Sequence, residues 1–128
     1  MKVDMGNTRP GTTLSHPAAN LDTWSDHSWT DGLQIESLPA LEYLTVKTQN
    51  TVYEISVTAP HAGDVLVRGG RFFPAFTPVV LAGASLGGSF LKRRGIYVGF
   101  HMELQHAGQT LVTTKVQAIL RSSSGRVQ

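Results

Sequence analysis

The sequence predicts an all-β protein, a small antiparallel barrel or sandwich of about six strands with an irregular N-terminal arm. From residue 41 onward, apolar residues alternate with polar ones, which is typical of half-buried strands. Glycine- and proline-rich turns separate these short runs, and no long 3.6-residue period is present. With 128 residues, of which 41% are hydrophobic, the chain can build one compact core and not two.

Residues 1–38 are interpreted as the irregular arm, because they are rich in small polar residues and show no sustained period. Trp24 and Trp29 stand out in it, since each carries a large apolar area whose burial is favourable. We expect both tryptophans to pack onto the β domain. The alternative is that they anchor a partner or a second subunit.

The β domain is predicted over residues 39–120. Its first four strands are short alternating or apolar runs, each followed by turn residues such as Gln49-Asn50 or Gly69-Gly70. These runs are residues 44–46, 53–57, 65–67 and 79–81.

The clearest strand is predicted over residues 96–104, with one apolar and one polar face, and its hairpin partner over residues 111–119. A loop over residues 107–109 joins them, with Gly108 in the left-handed region. Residues 121–128 are a polar tail that we expect to fray. The register predicted from the apolar faces pairs Leu104 with Val112, His101 with Lys115 and Glu103 with Thr113.

Composition bears on the chemistry that the protein can carry and on its expected cellular location. The chain has no cysteine, so it forms neither disulfides nor thiolate zinc sites. Its N-terminus lacks the apolar run of a secretory signal, which makes the cytoplasm the default location. The uncharged stretch Phe72–Leu91 has the length of a membrane span, but Pro74, Pro78 and its glycines would break a helix in lipid. No membrane span is expected.

Charge is divided unevenly, with two basic and five acidic residues in residues 1–40 against nine basic and four acidic in residues 41–128. Cations stand beside aromatic side chains in the segments RGGRFF (68–73) and FLKRR (90–94). We expect these cations to border one solvent-facing surface. The predicted partner-binding residues are Arg68, Arg71, Phe72, Phe73, Lys92, Arg93 and Arg94, together with Trp24 and Trp29.

This pattern favours a non-enzymatic binding or assembly module that contacts a protein partner or a second copy of itself. The alternative is a nucleic-acid or cyclic-dinucleotide binder, because arginine pairs with phosphate and aromatic faces stack on bases. No catalytic residue, metal or cofactor is predicted. The segment GASLG (83–87) matches a nucleophile elbow, but a chain of this size has no room for the large parallel sheet of an α/β-hydrolase, and small residues there also let strands approach closely.

Two resemblances are carried by these segments. The run GASLGGSFL (83–91) resembles the Asp/Asn-x-Ser-x-x-Gly motif of PilZ domains, with Gly83 in place of the acidic or amide residue. That resemblance implies a small β-barrel that binds a cyclic dinucleotide, although the Arg68–Arg71 spacing is one residue shorter than the arginine motif of that family. The segments 66–74, 87–92 and 99–103 together resemble small uncharacterised bacterial proteins, which implies a self-contained bacterial β module.

Overall fold

The computed structural model describes residues 29–87 and 90–123. Two single-turn 3-10 helices, Ile35–Ser37 and Pro60–Ala62, accompany the strands. Trp24 and the rest of residues 1–28 lie outside the described residues. The strands are β1 (Gly32–Gln34), β2 (Glu42–Thr48), β3 (Val52–Ala59), β4 (Asp64–Gly69), β5 (Phe73–Ser85), β6 (Leu91–Arg93), β7 (Gly95–Tyr97), β8 (His101–His106) and β9 (Gln109–Ser123).

Six of these strands close into an antiparallel ring in the order β4-β3-β2-β9-β8-β5, because β5 also pairs with β4. Strand β6 adds to the end of β5, and β1 pairs with β7 in a separate two-stranded sheet. The predicted all-β fold is therefore confirmed, in its barrel form.

The alternation of the sequence builds the core. On β2, β3, β4 and β8 burial alternates along the strand, so that one face is mostly apolar and buried while the other is more exposed. Removing these side chains from water is the main favourable term in folding. The largest fully buried side chains are Ile35, Leu44, Val46, Ile55, Val57, Val65, Val67, Leu81, Ile96, Met102, Leu104 and Val116.

Strand β5 organises the region that the sequence singled out. It spans 13 residues, where we predicted a short strand at Val79–Leu81. Its first part pairs with β4, and its last residues pair with β8 and β6. The uncharged stretch Phe72–Leu91 is thus mostly strand, and no helix within the described residues is long and apolar enough to cross a membrane.

The strand predicted over residues 96–104 is wrong as one continuous element. It breaks into β7 and β8 at a turn around Gly99, whose φ of +92° is left-handed. The predicted apolar face is still buried at Ile96, Phe100, Met102 and Leu104. Tyr97 belongs to the face of this strand that we predicted to be polar and exposed. It is buried instead, because β7 turns away to pair with β1.

The β8–β9 hairpin follows the predicted register in part. His101 lies opposite Lys115 as predicted, whereas a bulge between His101 and Glu103 places Val112 opposite Glu103. The loop has two residues and not three, and both Ala107 and Gly108 have positive φ, which suits a tight hairpin.

Both ends of the described chain are more regular than predicted. Within residues 29–38, which we assigned to the arm, β1 pairs with β7, and Ile35 and Leu38 enter the core. Strand β9 continues through Ser123 and pairs with β2, so residues 121–123 do not fray. Glu42 and Arg121 form an ion pair here, at 2.9 Å between Nε and Oε2.

Candidate functional site

The five predicted cations do not share one surface. Arg68 lies on β4, and Arg71 lies in the β4–β5 turn, two residues before the start of β5. Lys92 and Arg93 lie on β6, which pairs with the last three residues of β5, and Arg94 follows directly. An extended strand rises about 3.3 Å per residue, so the two groups stand on the order of 30 Å apart along β5. The premise of a single basic patch is therefore wrong.

Arg68 is occupied within the protein. It forms an ion pair with Glu54, its cross-strand partner on β3. On its other side the guanidinium carbon lies 4.4 Å from the centre of the Phe76 ring, a cation–π distance. Three strands thus contribute a row of Glu54, Arg68 and Phe76 on the outer face of the barrel.

Tyr43 on β2 extends this row. Burial raises the pKa of its hydroxyl above the ordinary value of 10.0, and the Glu54 carboxylate raises it further by disfavouring the phenolate. Arg68 offsets part of this increase. The row is a structural feature of the outer face, in which the charge of Arg68 is already balanced.

The turn between β4 and β5 carries an exposed aromatic and basic surface. Phe72 is 65% exposed and Phe76 37%, and Arg71 beside them is exposed. Val52, 52% exposed, begins the neighbouring strand, and its carbonyl oxygen lies only 2.5 Å from where a Cβ of Gly69 would be. We call Arg71, Phe72, Phe76 and Val52 the hairpin-tip surface.

Phe73 does not belong to that surface. Its side chain is only 2% exposed, and its ring meets the His106 ring edge-on at 5.9 Å between centroids. Phe73 starts β5 and points inward, whereas Phe72 is in the turn. The prediction that Phe73 binds a partner is therefore wrong, because its side chain is part of the hydrophobic core.

Trp29 packs onto the β domain, as predicted. Its ring lies 4.9 Å from that of Tyr97 and 5.1 Å from that of Phe100, measured between centroids. The Nζ atom of Lys92 lies 5.1 Å from the centre of the same ring. Trp29 and Lys92 therefore engage each other, while Arg93 on the same strand is exposed.

Arg94 has a structural role at the barrel end. Its guanidinium donates a hydrogen bond to the His61 carbonyl oxygen and lies where a Cβ of Gly63 would be. Its own carbonyl accepts from the Ile35 N–H at 3.0 Å. Arg94 thus ties the Pro60–Ala62 turn to the segment after β1.

The GASLG segment is not arranged as a nucleophile elbow. Ser85 is fully buried, and its hydroxyl donates to Oε2 of Glu103 at 2.5 Å. The ring of His101, across the strands from Ser85, contacts the Thr113 carbonyl through Nδ1 at 2.6 Å. The close-approach interpretation is confirmed at Gly83, where a Cβ would lie 2.2 Å from the Lys92 carbonyl oxygen.

Potential metal ligands do not converge in the described part of the chain, where no three His, Asp or Glu side chains form a group that could hold an ion.

Comparisons with family models, with curated proteins and with solved structures found no match to this chain. The resemblances to PilZ domains and to small bacterial proteins therefore stay predictions.

The sequence missed two features of this region. Val52 is exposed because it shares the outward-facing parity of Glu54 and Ser56, a signal that the alternation of β3 contains. The pairing of Lys92 with Trp29 has no comparable signal, since 62 residues separate them in the chain.

Proposed function

We propose that this protein is a binding module that contacts a macromolecular partner, most directly another protein, through the hairpin-tip surface. The observation that carries this proposal is the exposure of Phe72 beside Arg71 at the end of a hairpin. Aromatic residues and arginine are the side chains that most often dominate the energy of protein interfaces.

The size of the surface indicates how it acts. A phenylalanine side chain offers about 200 Å² when fully accessible, so Phe72 presents roughly 130 Å² and Phe76 roughly 70 Å². A stable complex buries about 800 Å² on each partner, so these two rings cannot supply it alone. The hairpin-tip surface is therefore suited to act as an anchor that enters a pocket on the partner.

The alternative, binding of nucleic acid or a cyclic dinucleotide, has weaker support. It requires several cations to meet phosphates together, because each neutralised phosphate adds to affinity. Arg68 is paired with Glu54, Lys92 lies over Trp29, and Arg94 is bonded to a backbone carbonyl. Retention of single-stranded RNA by the full chain at low salt, lost as salt rises, would favour this alternative over the proposal.

The proposal is tested by Phe72→Ala, with Leu120→Ala as the matched control. Leu120 is 67% exposed, close to the 65% of Phe72, and lies on β9, three strands from β4 and two strands from β5 in the ring. Tagged full-length protein is cross-linked in cells of the source organism, and captured proteins are compared quantitatively between variants.

A partner bound through the hairpin tip is recovered with wild type and with Leu120→Ala, and at least tenfold less with Phe72→Ala. Arg71→Ala reduces recovery in the same direction. Equal recovery with all variants would refute the proposed contact surface.

A cytoplasmic location stays a prediction of the sequence.

A further inference from the structure

Within the described residues, the β4–β5 hairpin has one open edge. β5 pairs with β4 between Phe73 and Val80, whereas β8 joins the other side of β5 only from Val80 onward. Among the described strands, none pairs with that other side of residues 73–79. An open edge offers backbone N–H and C=O groups to a strand from another molecule. This edge adjoins the hairpin-tip surface.

The composition of the edge favours such pairing. Residues 72–81 carry no charge and include three phenylalanines and two valines. An apolar, uncharged segment with high β propensity is the type that adds to strands of other copies. If the protein is to remain monomeric, some feature of the hairpin must therefore disfavour strand pairing between copies.

Pro74 and Pro78 supply that opposition. The N–H of Leu81 donates to the Gly63 carbonyl on the β4 side at 2.9 Å, and strand residues alternate in direction, so residue 78 directs its backbone groups to the open side. Proline has no N–H there, and the Pro78 carbonyl already accepts from Nδ1 of His106 at 3.3 Å. Both backbone groups of this residue are therefore withdrawn from an incoming strand.

The edge is also irregular near its tip. Between the pairs Val67–Thr77 and Gly69–Phe73, β4 advances two residues while β5 advances four, so extra residues around Pro74 bulge out of the ladder. Bulges and prolines are the features by which natural sheets prevent edge-to-edge association.

We infer that Pro74 and Pro78 keep β5 from pairing with the β5 of a second copy, so that the hairpin is recognised through its side chains and not by strand addition. Recognition through the side chains rests on the proposed function. The block to strand pairing is a property of the protein alone and is tested without a partner.

The test compares wild type with Pro74→Val/Pro78→Val by sedimentation velocity over a wide range of concentration. Pro39→Val is the matched control, because Pro39 is exposed and lies before β2, away from this edge. Pro74→Val alone is the second variant in case the double variant does not fold. Circular dichroism establishes folding, and amide hydrogen exchange locates any new contact.

Wild type and Pro39→Val are expected to remain monomeric. The double variant is expected to dimerise with a dissociation constant at least tenfold lower than that of wild type and with new amide protection in residues 73–79. A folded double variant that stays monomeric would overturn the inference. If only the single variant folds, self-association no stronger than that of wild type would overturn it. A wild-type dimer with protection at this edge would overturn it as well. Neither result depends on whether Phe72→Ala alters partner recovery, so failure here is distinguishable from failure of the proposed function.

Discussion

Replacement of Gly83 by alanine tests the close approach between β5 and β6. A Cβ at this position would lie 2.2 Å from the Lys92 carbonyl oxygen, 2.9 Å from its carbonyl carbon and 3.0 Å from the Cα of Arg93. All three atoms belong to the backbone, so no side chain can rotate away. The φ of Gly83 is +152°, which alanine adopts only with strain.

Two terms set the expected loss for Gly83→Ala. Backbone strain at an unfavourable φ costs about 1–3 kcal/mol. In addition, β6 must separate from β5 over its three paired residues, which removes about two hydrogen bonds worth roughly 1 kcal/mol each. The free energy of unfolding should therefore fall by about 3–5 kcal/mol, a large fraction of the 5–15 kcal/mol typical of small domains.

Gly87→Ala is the control. Gly87 also has a positive φ, +88°, but no atom of the described residues beyond its chain neighbours lies within 4 Å of a Cβ built there, so only the strain term applies. Its expected loss is about 1–2 kcal/mol. Both variants are measured by urea unfolding, monitored by tryptophan fluorescence. Equal losses for the two alanines would show that the contact between Gly83 and β6 is not the source of the effect.

Two further predictions concern the outer-face row. The first is a double-mutant cycle of Arg68→Ala and Phe76→Ala, measured by urea unfolding. We expect a coupling free energy of about 0.5–1 kcal/mol from the cation–π contact. If the losses of the two single variants simply add in the double variant, the two side chains do not interact. Because the pKa of Tyr43 is raised on folding, its stabilising contribution is complete below the unfolded pKa near 10.0 and is lost as pH rises through the folded pKa. The free energy of unfolding should therefore decrease less between about pH 9 and 11 in Tyr43→Phe than in wild type, and identical alkaline profiles would contradict this assignment.

The candidate site was predicted from the sequence only in part. Arg71 and Phe72 were identified and are exposed together, because a glycine turn that ends a strand places its neighbours in solvent. Phe73 was assigned to the same surface and is buried, because it is the first residue of β5 and points inward whereas Phe72 is still in the turn. The position at which β5 begins could not be located from the sequence. Trp24 lies outside the described residues and stays a prediction.

The sequence by itself determined the all-β class, the inward faces of most ring strands and the left-handed Gly108, because alternation and turn residues act over a few neighbouring positions. Only the tertiary structure decided where the cations lie. Arg71 and Lys92 are only 21 positions apart in the sequence, yet the extended β5 between them places them at opposite ends of that strand. Closure of the ring, the break at Gly99 and the contact of Lys92 with Trp29 likewise depend on pairing between distant residues, which no local pattern specifies.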